Sequence, residues 1–411
     1  MGMKQLPADF FQTPYAFYEQ LRAEGPVHQI QLPTGVNAWL VVDFDVVKEV
    51  LRHPDVCKDP HTAAGARAHR TSVGNSGVTA VNERLRHHLL NTDPPQHSRL
   101  RKLVVPAFAP ARMAALEPRV EAIADALLDT VDRKVSAGAN VDLLEEFAFP
   151  LPVTVICELL GVPVEDRERF QKWSAEVVDL PMSTPESMRA ATDAIVDYFE
   201  GMISWRRSQG LGDDLLSELL RISDDGDRLS HDELISMAFL ILVAGHETTV
   251  NLIGNTALAL LDDPSRWRAL RDNPDGVAPL VEEMLRYNGP VNVATLRYTA
   301  APIVVRNTMI PEGEVILVSV AAANHDERQF LAPSTFDPDR GAHGHLAFGH
   351  GIHYCLGAGL ARLEARVALT RLIQRFPHMR LTVDTADLHW RESIVIRGLR
   401  DLPVAVAGLP S

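Results

Sequence analysis

Cysteine is scarce in this chain. Cys57, Cys157 and Cys355 are the only three in 411 residues. An odd, sparse set builds no disulfide framework and suits a reducing compartment. Positive charge is short as well: 40 Lys and Arg stand against 54 Asp and Glu, a formal net charge of −14. Such a chain lacks the basic footprint that nucleic acid requires. It is also a poor match for an anionic membrane surface. Long hydrophobic runs are missing too. The longest, Met237 to Gly245, is too short for a bilayer span. Met1 to Phe10 lacks the charged-then-apolar order of a signal peptide. No repeat, low-complexity linker or dinucleotide-binding glycine fingerprint occurs. These absences lead us to expect a cytoplasmic globular protein with no nucleic-acid and no membrane partner.

Apolar residues make up 46% of the chain, enough for a large interior. We expect one domain over 1–411, mainly α with minor β. Helices are predicted over Pro14–Glu24 and Asp43–Leu51, and strands near Val27–Leu32 and Ala38–Val42. Lys58 to Asn82 lacks periodicity and reads as a long loop. From Gln96 to about Tyr287 helices dominate. Gly161 and Pro163 end one of them. The most informative helix starts at Ser230, where Ser230 and Glu233 form a capping-box pattern. It meets no breaker before Asp262-Asp263-Pro264, and its centre is apolar nearly all round, so it should be buried. Short strands and turns fill Asn292 to Val320. A last helix is expected near Cys355, with strands from Met379 onward.

The strongest chemical signal is Phe348-Gly349-His350-Gly351-Ile352-His353-Tyr354-Cys355-Leu356-Gly357. Gly349 and Gly351 permit tight turns, and Gly357 permits close approach of a flat ligand. A helix begins just after Cys355, and its free N–H groups and dipole favour thiolate over thiol. A lone cysteine is more often a buried structural residue. A zinc site using His343, His345, His350 or His353 is a further alternative, though their spacing fits known zinc patterns poorly.

Phe348, Gly351, Cys355 and Gly357 match the signature of the cytochrome P450 family, and the resemblance extends over nearly the whole chain. It is strongest to soluble actinobacterial members that tailor macrolides, other polyketides, terpenoids and steroids. The resemblance implies a P450 fold with the long central helix over a haem b (iron protoporphyrin IX). It makes Cys355 the thiolate ligand of the haem iron. His97, Arg101, Arg297 and His353 would contact the propionates, with Phe348, Gly349, Ala244 and Gly245 also lining the cofactor. Gly245 would give room beside the haem. Thr248 would hydrogen-bond bound O2, and Glu247 would carry protons from solvent. Taken alone, Thr248 is more readily read as bonded back to its own helix, and Glu247 as a surface ion pair. Glu283, Arg286 and Arg340 resemble a structural triad that steadies the cysteine loop. His325, in Asn324-His325-Asp326, stands where related sequences commonly carry Arg, and a local structural difference alone is expected.

The implied reaction is insertion of one oxygen atom into a C–H bond of a small hydrophobic substrate. Electrons would come from NAD(P)H through a separate reductase and a ferredoxin. A peroxygenase or oxidative coupling enzyme on the same fold is one rival, and a haem-thiolate sensor without turnover is another. Val243, Val291, Val293, Ala294 and Ile394 are the expected substrate contacts. Arg101, Lys102, Arg112, Arg362 and Arg366 are expected to make the cysteine side basic for an acidic ferredoxin.

Overall fold

The computed structural model describes residues 2–59, 81–178, 184–224 and 229–406. The body of the expected loop over Lys58 to Asn82 lies outside these residues. In chain order the strands are β1 (Lys4–Gln5), β2 (Val27–Gln31), β3 (Asn37–Val41), β4 (Val56–Cys57), β5 (Val141–Asp142), β6 (Arg297–Thr299), β7 (Ile303–Val305), β8 (Thr308–Ile310), β9 (Val315–Val318), β10 (Met379–Leu381) and β11 (Pro403–Val406). The α-helices are α1 (Pro14–Glu24), α2 (Phe44–Leu51), α3 (Gln96–Val104), α4 (Pro110–Ala114), α5 (Glu117–Ser136), α6 (Pro150–Leu160) and α7 (Arg167–Val178). After them come α8 (Pro185–Gln209), α9 (Leu215–Asp224), α10 (His231–Leu261), α11 (Pro264–Asp272), α12 (Val277–Asn288), α13 (Val320–Asn324) and α14 (Ala358–Arg375).

The minor β portion is a six-stranded sheet in the order β1-β2-β3-β9-β6-β4, a three-stranded sheet β10-β11-β5 and the hairpin β7-β8. Parallel pairing of β3 with β9, Trp39 opposite Ile316, joins the N-terminal strands to the segment before α13. Antiparallel pairing of β4 with β6, Cys57 opposite Tyr298, brings Lys58 beside the segment that leads into β6.

α10 is built as its sequence dictates. The Ser230 hydroxyl accepts from the Glu233 amide at 3.2 Å, and the Glu233 carboxylate accepts from the Ser230 amide at 2.9 Å. The helix then runs unbroken to Leu261, and most of its residues are buried. It is long and apolar enough to cross a bilayer, but 72% of its apolar window is covered by the rest of the protein. A core helix passes the same test of length and composition, so α10 is the axle of the fold. α6 packs beside it and ends at Gly161, whose φ of 72° suits the left-handed stop.

The last helix begins slightly later than expected. α14 starts at Ala358 with Gly357 at its N-cap, so Cys355 sits in the approach to the helix. β2 and β3 are each shorter at their C-terminal end than the expected strands by one residue, Leu32 and Val42.

Candidate functional site

The cysteine loop is held from several sides. Gly349 and Gly351 adopt φ of 73° and 78°, a region costly for other residues. The Cys355 amide donates to the Phe348 carbonyl at 3.0 Å, which closes the loop. The Arg362 guanidinium lies 4.4 Å from the centre of the Phe348 ring and also pairs with Glu282. Beneath the loop, Glu283 holds the fully buried Arg286 at 2.6 Å and Arg340 at 3.3 Å. Arg286 donates to the Asn324 carbonyl at 3.0 Å, and the Asn324 side chain accepts from the Leu346 amide at 2.7 Å. The triad therefore reaches the cysteine loop through Asn324. His325 is a local variation: it bonds the Tyr287 carbonyl at 2.7 Å and stacks on Tyr15, and burial lowers its pKa to about 4.

Cys355 is densely surrounded by protein, yet its side chain is accessible. Burial pushes its thiol pKa up, while the Gly357 amide at the helix start, Arg101 and Arg362 pull it back toward thiolate. The other cysteines are buried, and burial raises Cys157 to about 12. The zinc alternative finds no support. His345 is engaged with Glu282, His343 is exposed, and no metal-holding cluster of His, Cys, Asp and Glu exists among the described residues.

Near Cys355, basic groups gather without a free anion among the described residues. His97 and His353 place their rings 4.3 Å apart. Both ring nitrogens of His97 and Nε2 of His353 are buried with no hydrogen-bond partner. His353 is pushed down to about 2 by burial and by Lys58, His97, Arg297 and Arg101. Arg297 is buried, lowered to about 10 by desolvation, and donates to the Thr295 carbonyl at 2.7 Å. Lys58 is buried as well and bonds the Thr295 hydroxyl. The neighbouring carboxylate, Asp93, is occupied by the Lys58 and Asp59 amides at 2.9 and 2.8 Å. Clustered buried cations and idle imidazoles are costly unless an anion completes them. Two carboxylates on the edge of a flat cofactor meet that need, so this donor set fits haem propionates.

Arg101 behaves differently from the others. It donates to the Tyr354 carbonyl at 2.8 Å, beside Cys355, and is partly exposed. With His97, Lys102, Val105, Pro106 and Ile352 it lines a shallow hollow of about 480 Å³ on that face. The expected basic face is largely neutralised. Arg112 pairs with Glu218, Arg362 with Glu282 and Arg366 with Glu117. Of the five cations only Arg101 and Lys102 stand outside an ion pair among the described residues.

On α10, Ala244 is accessible and Val243 and Thr248 are half-buried, an opening in an otherwise buried helix. The Thr248 hydroxyl donates to the Ala244 carbonyl at 3.2 Å. At Gly245 a Cβ would meet Ile156 at 2.7 Å, so its missing side chain lets α6 approach α10. Glu247 is 6% exposed and pairs with Arg391, while Asn251 donates to its carboxylate at 3.2 Å. The acid end of this ion pair is buried, and its Arg391 end is partly exposed.

Among the expected substrate contacts, Val243, Val291, Ala294 and Ile394 retain some accessible surface. Val293 does not. It is 0% exposed and packs in a core cluster with Phe10 and Tyr18, because its bridge to Ser319 turns it inward. Lys58 and Arg391 were not legible as site residues, because their partners Thr295 and Glu247 are distant in sequence.

The family profile described as cytochrome P450 matches residues 9–385. Cytochrome P450 107B1 of Saccharopolyspora erythraea is 46% identical over 395 residues, covering 96% of this chain and 95% of that protein. The polyketide biosynthesis cytochrome P450 PksS of Bacillus subtilis is 35% identical and covers 97% of both chains. The structure of tirandamycin C-bound P450 monooxygenase TamI superposes with a TM-score of 0.87 at 39% identity, over 98% of this chain and 100% of that one.

Proposed function

The chain belongs to the cytochrome P450 family, and from that premise we propose that it inserts one atom of O2 into a C–H bond of a bulky polyketide-like molecule. One observation carries the reading: an accessible cysteine in a preformed loop stands two residues from His353, whose ring meets His97, and these imidazoles are buried without hydrogen-bond partners. The substrate class is supported by the names of two relatives, one assigned to polyketide biosynthesis and one bound to tirandamycin C. The accessible contacts Val243, Val291, Ala294 and Ile394 are apolar, as a lipophilic ligand requires.

Haem b, when bound, supplies the oxygen activation, and the chain's own residues arrange it. Cys355 would ligate the iron. His97, His353, Arg297 and Lys58 would neutralise the propionates. Thr248 presents its hydroxyl at the open stretch of α10, where it can orient a proton toward reacting oxygen. Glu247 lies one residue earlier and reaches Arg391, which is 34% exposed and so touches solvent. This acid and alcohol favour O2-driven chemistry over a peroxide-driven or binding-only role. We assign the electron supply to a ferredoxin and an NAD(P)H-dependent reductase, in the cytoplasm.

The test is turnover under ¹⁸O2 with NADPH and a surrogate ferredoxin and reductase. Macrolactones, steroids and terpenoids are first ranked by the spin-state shift that they induce. One ¹⁸O atom per product is expected from the best binder. Product labelled only from peroxide or water would sink the O2 reading.

A further inference from the structure

The acid on α10 is tied to a remote part of the chain. Arg391 pairs with Glu247 across 144 residues. It stands at the base of a short hairpin near the C-terminus. There Trp390 bridges Leu399, and the Arg391 amide donates to the Gly398 carbonyl at 2.9 Å. The tip, Ser393 to Ile396, is pinned to the segment that follows α12. Val291 bridges Ile396, the Asn292 amide donates to the Val395 carbonyl at 2.8 Å, and the Asn292 side chain donates to the Ile394 carbonyl at 3.3 Å. Ile394 and Val291 are two of the partly accessible residues proposed to meet substrate.

A second contact fixes the same junction. Asn251, one turn beyond Glu247, donates to the Glu247 carbonyl at 2.7 Å and to its carboxylate at 3.2 Å. Its side-chain oxygen Oδ1 would lie only 1.6 Å from a Cβ placed on Gly398. The hairpin can seat on α10 only because residue 398 has no side chain. The Glu247 carboxylate is thus held by one group from the hairpin and one that packs on it. It shares no hydrogen bond with Thr248, whose hydroxyl is turned to Ala244.

We propose that Arg391 is a positioning residue for Glu247. It fastens the acid of α10 to the hairpin that carries Ile394, so the seating of the hairpin and the orientation of the acid are set together. Contact of a substrate with the tip then bears on the group that carries the proton. The proposal rests on the reading of Glu247 as that carrier.

The experiment is a double-mutant cycle on the haem-loaded enzyme: Arg391→Gln, Glu247→Gln, both together, and Arg391→Lys. The probe is the compound with the largest spin-state shift in the binding screen. NADPH oxidation, product per NADPH and the solvent deuterium isotope effect are measured, with active enzyme counted from the reduced carbon-monoxide spectrum. Arg391→Gln is expected to slow NADPH oxidation by about tenfold or more and change the isotope effect. The double variant should be no slower than Glu247→Gln, and Arg391→Lys should recover most of the rate. Multiplying losses in the double variant, or a wild-type rate in Arg391→Gln beside a slow Glu247→Gln, would overturn the role of Arg391 while leaving Glu247 as the carrier. A wild-type rate in Glu247→Gln would overturn the carrier reading itself, and the proposal with it. Should Arg391→Gln fold poorly, Gly398→Ala offers a second route, since it unseats the hairpin and leaves Arg391 in place. The same change in isotope effect is expected, and an unchanged one contradicts the coupling.

Discussion

Single residues divide the labour at this site, and three of them make separable claims. Thr248 presents a hydroxyl at the open stretch midway along α10, so Thr248→Ala should leave cofactor binding intact. It should lower product per NADPH by about tenfold or more while peroxide accumulates. An unchanged ratio would mean that another donor does this work. Lys58 is a buried cation whose side-chain contact is a hydroxyl and whose nearby acid is already engaged by two amides. Its cost is best offset by a propionate. Lys58→Met should therefore speed haem transfer to excess apomyoglobin by about tenfold, the weight of one charge-assisted hydrogen bond. Transfer at the wild-type rate would remove Lys58 from the cradle. Cys355 carries the central claim. Its loop was readable because Phe348, Gly351, Cys355 and Gly357 match the family's signature; the glycines alone would not have set it apart from a structural cysteine. Lys58 was not, because nothing in Cys57-Lys58-Asp59 shows that β4 pairs with β6 and delivers the lysine to Thr295.

At the scale of elements, local rules succeeded where the cause was local. The capping box of α10, the glycine stop of α6 and the helix α1 follow from residues within a turn or two of each end. They failed where a partner decides the outcome. Val293 is turned inward by a strand pairing that its own neighbours do not reveal. α14 holds another feature of this kind. Glu364 lies fully buried with both carboxylate oxygens unpartnered, and desolvation raises its pKa well above the ordinary 4.5. A carboxyl neutral in the folded state but ionised when unfolded contributes its full stability below about pH 4.5 and loses it as pH rises toward the folded pKa. Glu364→Gln does not titrate. Its melting temperature should match the wild type near pH 4.5 and exceed it by a few degrees, to order of magnitude, at pH 8. A gap that is the same at both pH values would show that the carboxyl is ionised in the folded protein.

The whole molecule sets what approaches the site. The chain carries a net −14, yet its cysteine face keeps Arg101 and Lys102 outside ion pairs while Arg112, Arg362 and Arg366 are matched by acids. The same face exposes Val105, Ile352 and Tyr354. A ferredoxin meeting it finds a small charged spot beside apolar surface. Turnover should then fall only about two- to threefold between 50 and 300 mM salt, because few charges are left to be screened. A tenfold or steeper fall would mean that the paired arginines release their acids on docking. All of this depends on thiolate ligation by Cys355, and that can be measured directly. Freshly prepared, folded protein is reduced and exposed to carbon monoxide. The account predicts the strongly red-shifted Soret band of a cysteine thiolate, lost in Cys355→His with haem still bound. A histidine-type Soret band in the wild-type protein would contradict it.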